Sequence, residues 1–142
     1  MEETPAADRF VGIDVSKSWV DVHVRPDGTA FRCATDGEGL AELVRRLHPL
    51  LPRLIVMEAS GGYESIVAIS LAEAGLPAAI VNPRQVRRFA EALGQLAKTD
   101  AIDARVIAHF AEAVRPVPRP IPDRMMTQLQ ELLARPPRPE VH

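Results

Sequence analysis

The sequence predicts an α/β fold in which one mixed sheet carries helices on both faces. Residues 9–35 hold three short runs of apolar and β-branched residues between turn signals, which predicts an antiparallel meander. Residues 39–114 then alternate helical spacing with short apolar runs, which is typical of strands joined by helices. The chain has 142 residues, 46% hydrophobic and 25% charged, so we expect one globular domain with its own core.

The first three strands are predicted from residue type and alternation. The run "RFVGIDV" is rich in apolar and β-branched residues, and "WVDVHVR" alternates apolar with polar ones. A short "SKS" turn joins these two runs, and the turn signal "PDGT" precedes the third run, "AFRCAT". The predicted strands are residues 9–15, 19–25 and 30–35.

Four helices and two further strands are predicted after the meander. Asp36 can cap the first helix, Gly75 closes the second, and Pro83 opens the third. Thr99 can cap the fourth helix. The predicted helices are residues 39–50, 63–75, 83–93 and 100–114, and the predicted strands are residues 53–59 and 77–82.

A change in proline content marks the predicted end of the domain. Seven of the 13 prolines fall in residues 116–142, which therefore predict an extended linker followed by a short helical tail. The polar start of the chain, residues 1–8, predicts a disordered segment. The folded domain is thus expected to cover residues 9–115.

Composition and charge exclude several classes of protein. Cys33 is the only cysteine, so neither an internal disulfide nor a thiolate zinc site can form, which suits the cytoplasm. No signal peptide and no unbroken apolar run long enough for a membrane span is visible, so no membrane partner is expected. A net charge of −2 neither indicates nor excludes a nucleic-acid partner, because binding faces are local.

Four carboxylates are predicted to meet at one edge of the sheet. Asp14 and Glu58 end two strands that can be central neighbours, and the carboxyl ends of such strands face one crevice. Asp100 and Asp103 are three residues apart in the last predicted helix, which places them on the same side of it. If that helix packs across the crevice, all four acids come together.

A shared metal ion would give these acids a function. Oxygen ligands suit Mg²⁺ or Mn²⁺, and a pair of such ions ~3.5–4 Å apart can stabilise the attacking and leaving oxygens of a phosphodiester. The plainer interpretation of Asp100 and Asp103 is a solvated acidic helix face, which is the commoner explanation of such a spacing.

Three stretches of the chain together resemble a known family. They are "VGIDVSKSWVDVHV", "VMEASGGYE" and "NPRQVRRFAEALGQLAKTDAIDARVIAHFA". They resemble the N-terminal domain of the DEDD transposases, which are insertion-sequence recombinases guided by a bridge RNA. The resemblance implies a RuvC-like variant of the ribonuclease H fold over residues 9–115. It also places the catalytic, metal-binding tetrad of the family on Asp14, Glu58, Asp100 and Asp103.

The resemblance further implies a function and partners. It implies catalysis on DNA phosphodiesters during transposition, with DNA and a guide (bridge) RNA as partners and a homo-oligomer in the full-length context. Members of the family continue into a second domain that supplies a serine nucleophile. This sequence ends at His142 without a match to that domain, so we expect a truncated protein that is incomplete alone. Ser16 and Ser60 belong to the motif turns and are not assigned the nucleophilic role.

Seven residues are candidates for nucleic-acid binding. Three arginines share one side of the third predicted helix, two basic residues follow, and a turn lysine and a tyrosine flank the acidic motifs. The candidates are Lys17, Tyr63, Arg84, Arg87, Arg88, Lys98 and Arg105. A solvated turn or helix face explains each basic residue about as well, and Tyr63 could equally pack on the first helical turn.

Three aromatic or imidazole side chains are expected to have structural roles. We expect Trp19 to pack within the core or on the sheet face rather than to serve as a platform for a base. His23 should alternate out of its strand into solvent, and His109 should be packed or on the surface rather than a ligand.

Three functions remain for comparison. The first is a metal-dependent nuclease-like domain of a DNA transposase. The second is a non-catalytic module that binds RNA or DNA or dimerises. The third, half of an actin-like sugar kinase, needs a second phosphate loop and a second similar domain, and the sequence contains neither.

Overall fold

One mixed sheet of five strands organises the chain in the computed structural model, which describes residues 8–59, 61–96 and 100–118. The strands are β1 (Phe10–Val15), β2 (Trp19–Arg25), β3 (Thr29–Ala34), β4 (Leu54–Glu58) and β5 (Ala78–Val81). The helices are α1 (Gly37–Leu47), α2 (Tyr63–Glu73), α3 (Pro83–Ala92) and α4 (Ala104–Val114), with a short 3-10 turn at His48–Leu50. The predictions for residues 1–7 and 119–142 lie outside the described residues.

The strand order β3-β2-β1-β4-β5 confirms the predicted mixed sheet. Strand β1 pairs antiparallel with β2, and β2 pairs antiparallel with β3, which forms the predicted meander. Strand β1 also pairs parallel with β4, and β4 pairs parallel with β5. The two strands that carry Asp14 and Glu58 are therefore central neighbours, as the topology argument predicted.

Each face of the sheet has its own core. Because successive side chains of a strand point to opposite faces, Ile13 and Met57 face α1 and α2, whereas Val56 faces α3 and α4. Leu43 and Leu71 are fully buried on the first face. Strands β1 and β4 are buried on both faces, which explains why their sequences are almost continuously apolar.

Polar side chains begin three of the helices. Asp36 accepts a hydrogen bond from the Gly39 amide at 2.7 Å, which confirms the predicted cap of α1. Asn82 accepts a hydrogen bond from the Arg84 amide at the start of α3. The helix α4 starts at Ala104 rather than at residue 100, because Asp103 forms its cap. None of the helices in the described ranges combines enough length with enough apolar character to span a bilayer.

Gly12 allows α4 to lie directly on the centre of β1. A Cβ atom at Gly12 would collide with the backbone of Ala104 and Ala108. Both contacts are with main-chain atoms, so no side-chain rotation could relieve them. The missing side chain therefore sets the distance between the sheet and the helix that carries Asp103.

We predict that Gly12→Ala lowers the free energy of unfolding by at least ~2 kcal/mol, since overpacking against backbone forces the helix away from the sheet. Gly37→Ala is the matched control, because a Cβ atom there meets nothing within 4 Å. Urea unfolding of both variants measures the difference. Equal stability of the two variants would contradict the proposed close packing.

Candidate functional site

Asp14 and Glu58 lie side by side at the carboxyl ends of β1 and β4. The parallel register pairs Gly12 with Val56 and Ile13 with Met57, so the next step along both strands brings the two acids level. Both side chains are half-buried. The structure thus brings together the first two predicted site residues.

The pKa of both carboxyl groups is raised. Burial is the main cause for Asp14, followed by the negative charges of Asp21 and Asp103. Burial is also the main cause for Glu58, followed by the charge of Asp14, while the Arg87 guanidinium acts in the opposite direction. Within the described residues, the buried Oε2 atom of Glu58 has no hydrogen-bond partner. The negative charge of the pair is therefore only partly offset by nearby positive charge and polar contacts.

Asp103 approaches the pair from α4. Its backbone is extended, with φ −113° and ψ 175°, and its side chain accepts a hydrogen bond from the Val106 amide at 3.0 Å. Its charge raises the pKa of Asp14, so the helix cap lies within electrostatic reach of the strand end. Asp103 therefore caps α4 and also lies near the acidic edge, which is the edge of the sheet that carries Asp14 and Glu58.

Asp100 does not share a helical turn with Asp103, which corrects the sequence-based prediction. Residues 100–103 are not helical, and α4 begins only at Ala104. The helix begins directly after Asp103 because an aspartate oxygen can accept a hydrogen bond from an otherwise unpaired amide at a helix start. A longer helix would also have placed two like charges one turn apart, where they repel. Asp100 is exposed, and its carbonyl oxygen accepts a hydrogen bond from Arg87 Nη2 at 2.7 Å.

Arg87 connects α3 to the segment that carries Asp100. Besides the bond to the Asp100 carbonyl, its Nη1 atom lies 3.6 Å from Glu91 Oε1 one turn later in α3. Its charge also lowers the pKa of Glu58. Arg87 therefore supplies positive charge at the acidic edge.

Asp14 lies within electrostatic reach of Glu58 and of Asp103 along this edge, without the three acids forming a closed cluster. Among the residues that the structure describes, no group of three His, Cys, Asp or Glu side chains is gathered tightly enough to hold a metal ion.

Asp21 is an acidic residue of this region that the sequence argument missed. It pairs with Asp14 across β1 and β2, and its charge raises the pKa of Asp14. Asp21 also forms an ion pair with Arg32, with 2.7 Å between Oδ1 and Nε. The alternation of "WVDVHVR", combined with the hairpin register, is the signal that could have placed it beside Asp14.

A groove of about 440 Å³ opens beside these acids. Its charged and imidazole lining consists of Asp14, Asp21, His23, Arg32, Asp103 and Arg105. His23 alternates out of the core as predicted, but it is partly buried on this groove wall rather than fully in solvent. Burial, then the charges of Arg105 and Arg25, lower its pKa. The reason is that α4 packs over β2 and covers the polar side of that strand.

A family model described as "Transposase", for the DEDD transposases of the IS110 type, matches residues 11–136. The chain belongs to the DEDD transposase family. No curated protein matches this transposase chain.

The fold of this DEDD transposase chain is similar to that of a solved RuvC structure. The structure titled "T. thermophilus RuvC in complex with Holliday junction substrate" aligns with a TM-score of 0.54 and 17% sequence identity. The alignment covers 80% of this chain and 100% of that one. At this identity the likeness concerns the fold alone, and it confirms the predicted RuvC-like, ribonuclease H-like architecture.

Five of the candidate nucleic-acid contacts of the transposase chain are exposed. Lys17 is exposed after β1, and Tyr63 is exposed at the first residue of α2. Arg84 and Arg88 are exposed on α3, and Arg105 lies on the groove wall. The remaining candidate, Lys98, lies outside the described residues.

Two aromatic predictions for the transposase chain have different outcomes. His109 is packed edge-to-face against Phe89, with ring centroids 5.1 Å apart, which confirms its structural role. Trp19 was expected to pack within the core or on the sheet face, but 46% of it is exposed. The Arg32 guanidinium lies over its ring, with the central carbon 5.4 Å from the centroid.

Without metal, we predict that Asp14→Asn raises the free energy of unfolding at neutral pH. The native pKa of Asp14 is above its ordinary value of 3.8, so stability falls as pH rises from that value through the native pKa. The advantage of the variant should therefore shrink as pH falls through this window. Urea unfolding in the presence of a chelator, at several pH values from neutral to acidic, measures this stability difference. Glu38→Gln, at an exposed position of α1, is the control. A constant or absent difference would contradict the charge clustering.

We also predict that Arg87→Gln raises the pKa of Glu58 further, because the variant removes the cation that lowers it. Arg88→Gln removes an exposed charge from the same helix and should leave this pKa unchanged. Titration of the Glu58 carboxyl carbon by NMR compares the two variants. A shift of the same size in both would show a general charge effect rather than a local contact.

Proposed function

We propose that this chain provides the catalytic, nuclease-type domain of an insertion-sequence transposase, with residues 9–115 as its folded unit. The observation that best supports this function is the pair Asp14 and Glu58. Their two carboxyl groups are half-buried at adjacent strand ends, and both have a raised pKa. Membership of the DEDD family and the RuvC-like fold support this assignment. In this proposal the substrate is a DNA phosphodiester.

The residues present fit a divalent cation. The raised pKa values and the unpaired Glu58 Oε2 both indicate that the negative charge of the edge is incompletely offset. Hard cations such as Mg²⁺ or Mn²⁺ prefer carboxylate oxygens. We assign Asp14, Glu58, Asp100 and Asp103 as the ligands, which a cation would have to draw closer together. When bound, such an ion neutralises developing charge on phosphodiester oxygens.

The basic residues around the edge would hold the nucleic acid. Arg84 and Arg88 are exposed on α3, while Arg105 and Lys17 are exposed near Asp14, so they can contact phosphate oxygens. Tyr63 can stack on a base. We assign Arg87 first to holding the Asp100 segment, because its guanidinium is already bonded there.

The proposed partners follow from the family. The RuvC structure contains a Holliday junction substrate, which supports DNA as the partner here. The bridge RNA, the homo-oligomer and the cytoplasmic location are proposals that rest on family resemblance. The same resemblance assigns the covalent step to a serine of another domain, and none of the residues proposed for the acidic site takes that role.

A second candidate is a non-catalytic module that binds nucleic acid or dimerises. The observation that favours it is the open arrangement of the acids, since no three suitable side chains in the described ranges are gathered for a metal. This function would need the arginines of α3 but not the four carboxylates.

Metal titration tests the leading proposal. We predict that saturating Mg²⁺ or Mn²⁺ raises the free energy of unfolding of the wild type by about 2.7 kcal/mol at 100 times Kd. The double variant Asp14→Ala, Asp100→Ala should show no such gain, whereas Glu38→Ala, in an exposed acid of α1, should respond like the wild type. Thermal or urea unfolding measures the gain. An equal response of wild type and double variant would rule out the acidic site.

Gel shifts with a branched DNA junction separate the two candidates. Binding that survives loss of the four acids, without any metal response, would favour the non-catalytic module. Arg84→Ala with Arg88→Ala should weaken binding in either case, because both side chains are exposed and can contact phosphates.

A further inference from the structure

We propose that Trp19 and Arg32 form a stacking subsite for an unpaired base of single-stranded DNA beside the acidic groove. The proposal rests on the proposed function, because the strand held there is the one whose phosphodiester lies at Asp14. It gives a ligand to an aromatic side chain that the fold leaves 46% exposed.

The partial exposure of Trp19 is the first observation. Val20 and Val22 point into the core that α1 and α2 cover, so Trp19 and Asp21 point to the opposite face, on which α4 lies. Helix α4 packs over β1, β2 and β4. On this face of β3, Ala30 and Arg32 are exposed and Ala34 is partly buried. Tryptophan side chains in cores bury large areas, roughly 150–250 Å² each. Trp19 instead leaves 46% of its surface exposed.

The fixed orientation of Arg32 is the second observation. Its Nε and Nη2 atoms donate to the two carboxylate oxygens of Asp21 at 2.7 and 3.2 Å. This two-point contact orients the planar guanidinium, whose central carbon lies 5.4 Å from the Trp19 ring centroid. Bases stack on aromatic rings and on arginine planes, so the two side chains form an arranged platform.

The distance to the acids is the third observation. Trp19 is two residues before Asp21 on β2, and Asp21 is paired directly with Asp14. Two residues of a strand span about 7 Å, which equals roughly two stacked base steps of about 3.4 Å. A base on Trp19 would therefore belong to a nucleotide next to, or one removed from, the phosphodiester at Asp14.

Charge and shape favour DNA bases over an apolar protein surface. Lys17 is exposed two residues before Trp19 and forms no ion pair within the described part of the chain, so it can contact a phosphate. The side chains beside the ring are Arg32 and the small Ala34, rather than a continuous apolar patch. Stacking tolerates any base, so the subsite would position a strand without reading its sequence.

The fluorescence of Trp19 tests the proposal directly, because it is the only tryptophan in the chain. The full chain is titrated in chelator with a single-stranded oligothymidine, the same strand in a duplex, and an abasic strand of equal length. We expect saturable quenching by the single strand and little by the duplex or the abasic strand. Equal quenching by the abasic strand would overturn the proposal, because it would show phosphate contact without stacking.

Binding of a labelled oligothymidine provides the second readout. We expect Trp19→Ala to weaken it by about 10-fold, and Trp19→Phe to restore most of the affinity. Leu93→Ala removes another exposed apolar side chain and should leave binding unchanged. Unchanged affinity of a folded Trp19→Ala variant would overturn the proposal, as would quenching by RNA but not by DNA.

The two proposals can fail separately. Quenching in chelator without any stabilisation by metal would support the stacking subsite and remove the proposed nuclease function. Stabilisation by metal without quenching would do the reverse. Metal stabilisation of Trp19→Phe should equal that of the wild type, since Trp19 is not one of the assigned ligands.

Discussion

The contact between the backbone of α4 and Gly12 determines the geometry of the acidic edge. Because Gly12 has no Cβ atom, Ala104 and Ala108 lie against the middle of β1. The start of α4 is thereby held near the carboxyl end of β1, where the negative charge of Asp103 raises the pKa of Asp14. A larger residue at position 12 would separate these two acids even if every other element kept its place.

The site concentrates negative charge and offsets only part of it. Asp14 and Glu58 are half-buried next to each other, and both have a raised pKa. The positive end of the α4 dipole favours the Asp103 carboxylate, and Arg87 lowers the pKa of Glu58 from α3. The remaining electrostatic repulsion is concentrated at one edge of the sheet, and carboxyl groups with perturbed pKa values are common at functional sites.

The sequence predicted the sheet and the Asp14–Glu58 pair well, because residue type, alternation and chain order determine strands and their neighbours. It misplaced Asp100 and Asp103 on one helical turn, since periodicity does not show where a helix begins, whereas the capping contact of Asp103 does. Asp21 and Trp19 depend on strand register and on which helix covers which strand. The residue pattern within a single strand contains neither the register nor the helix packing.

A crystal structure of the chain with Mn²⁺ tests the central claim that these acids share a cation. Anomalous scattering should place manganese in contact with the carboxylates of Asp14 and Glu58, joined by Asp103, Asp100 or both. The claim would be contradicted by manganese bound only elsewhere on the surface, or by an acidic edge without manganese at concentrations that saturate other sites.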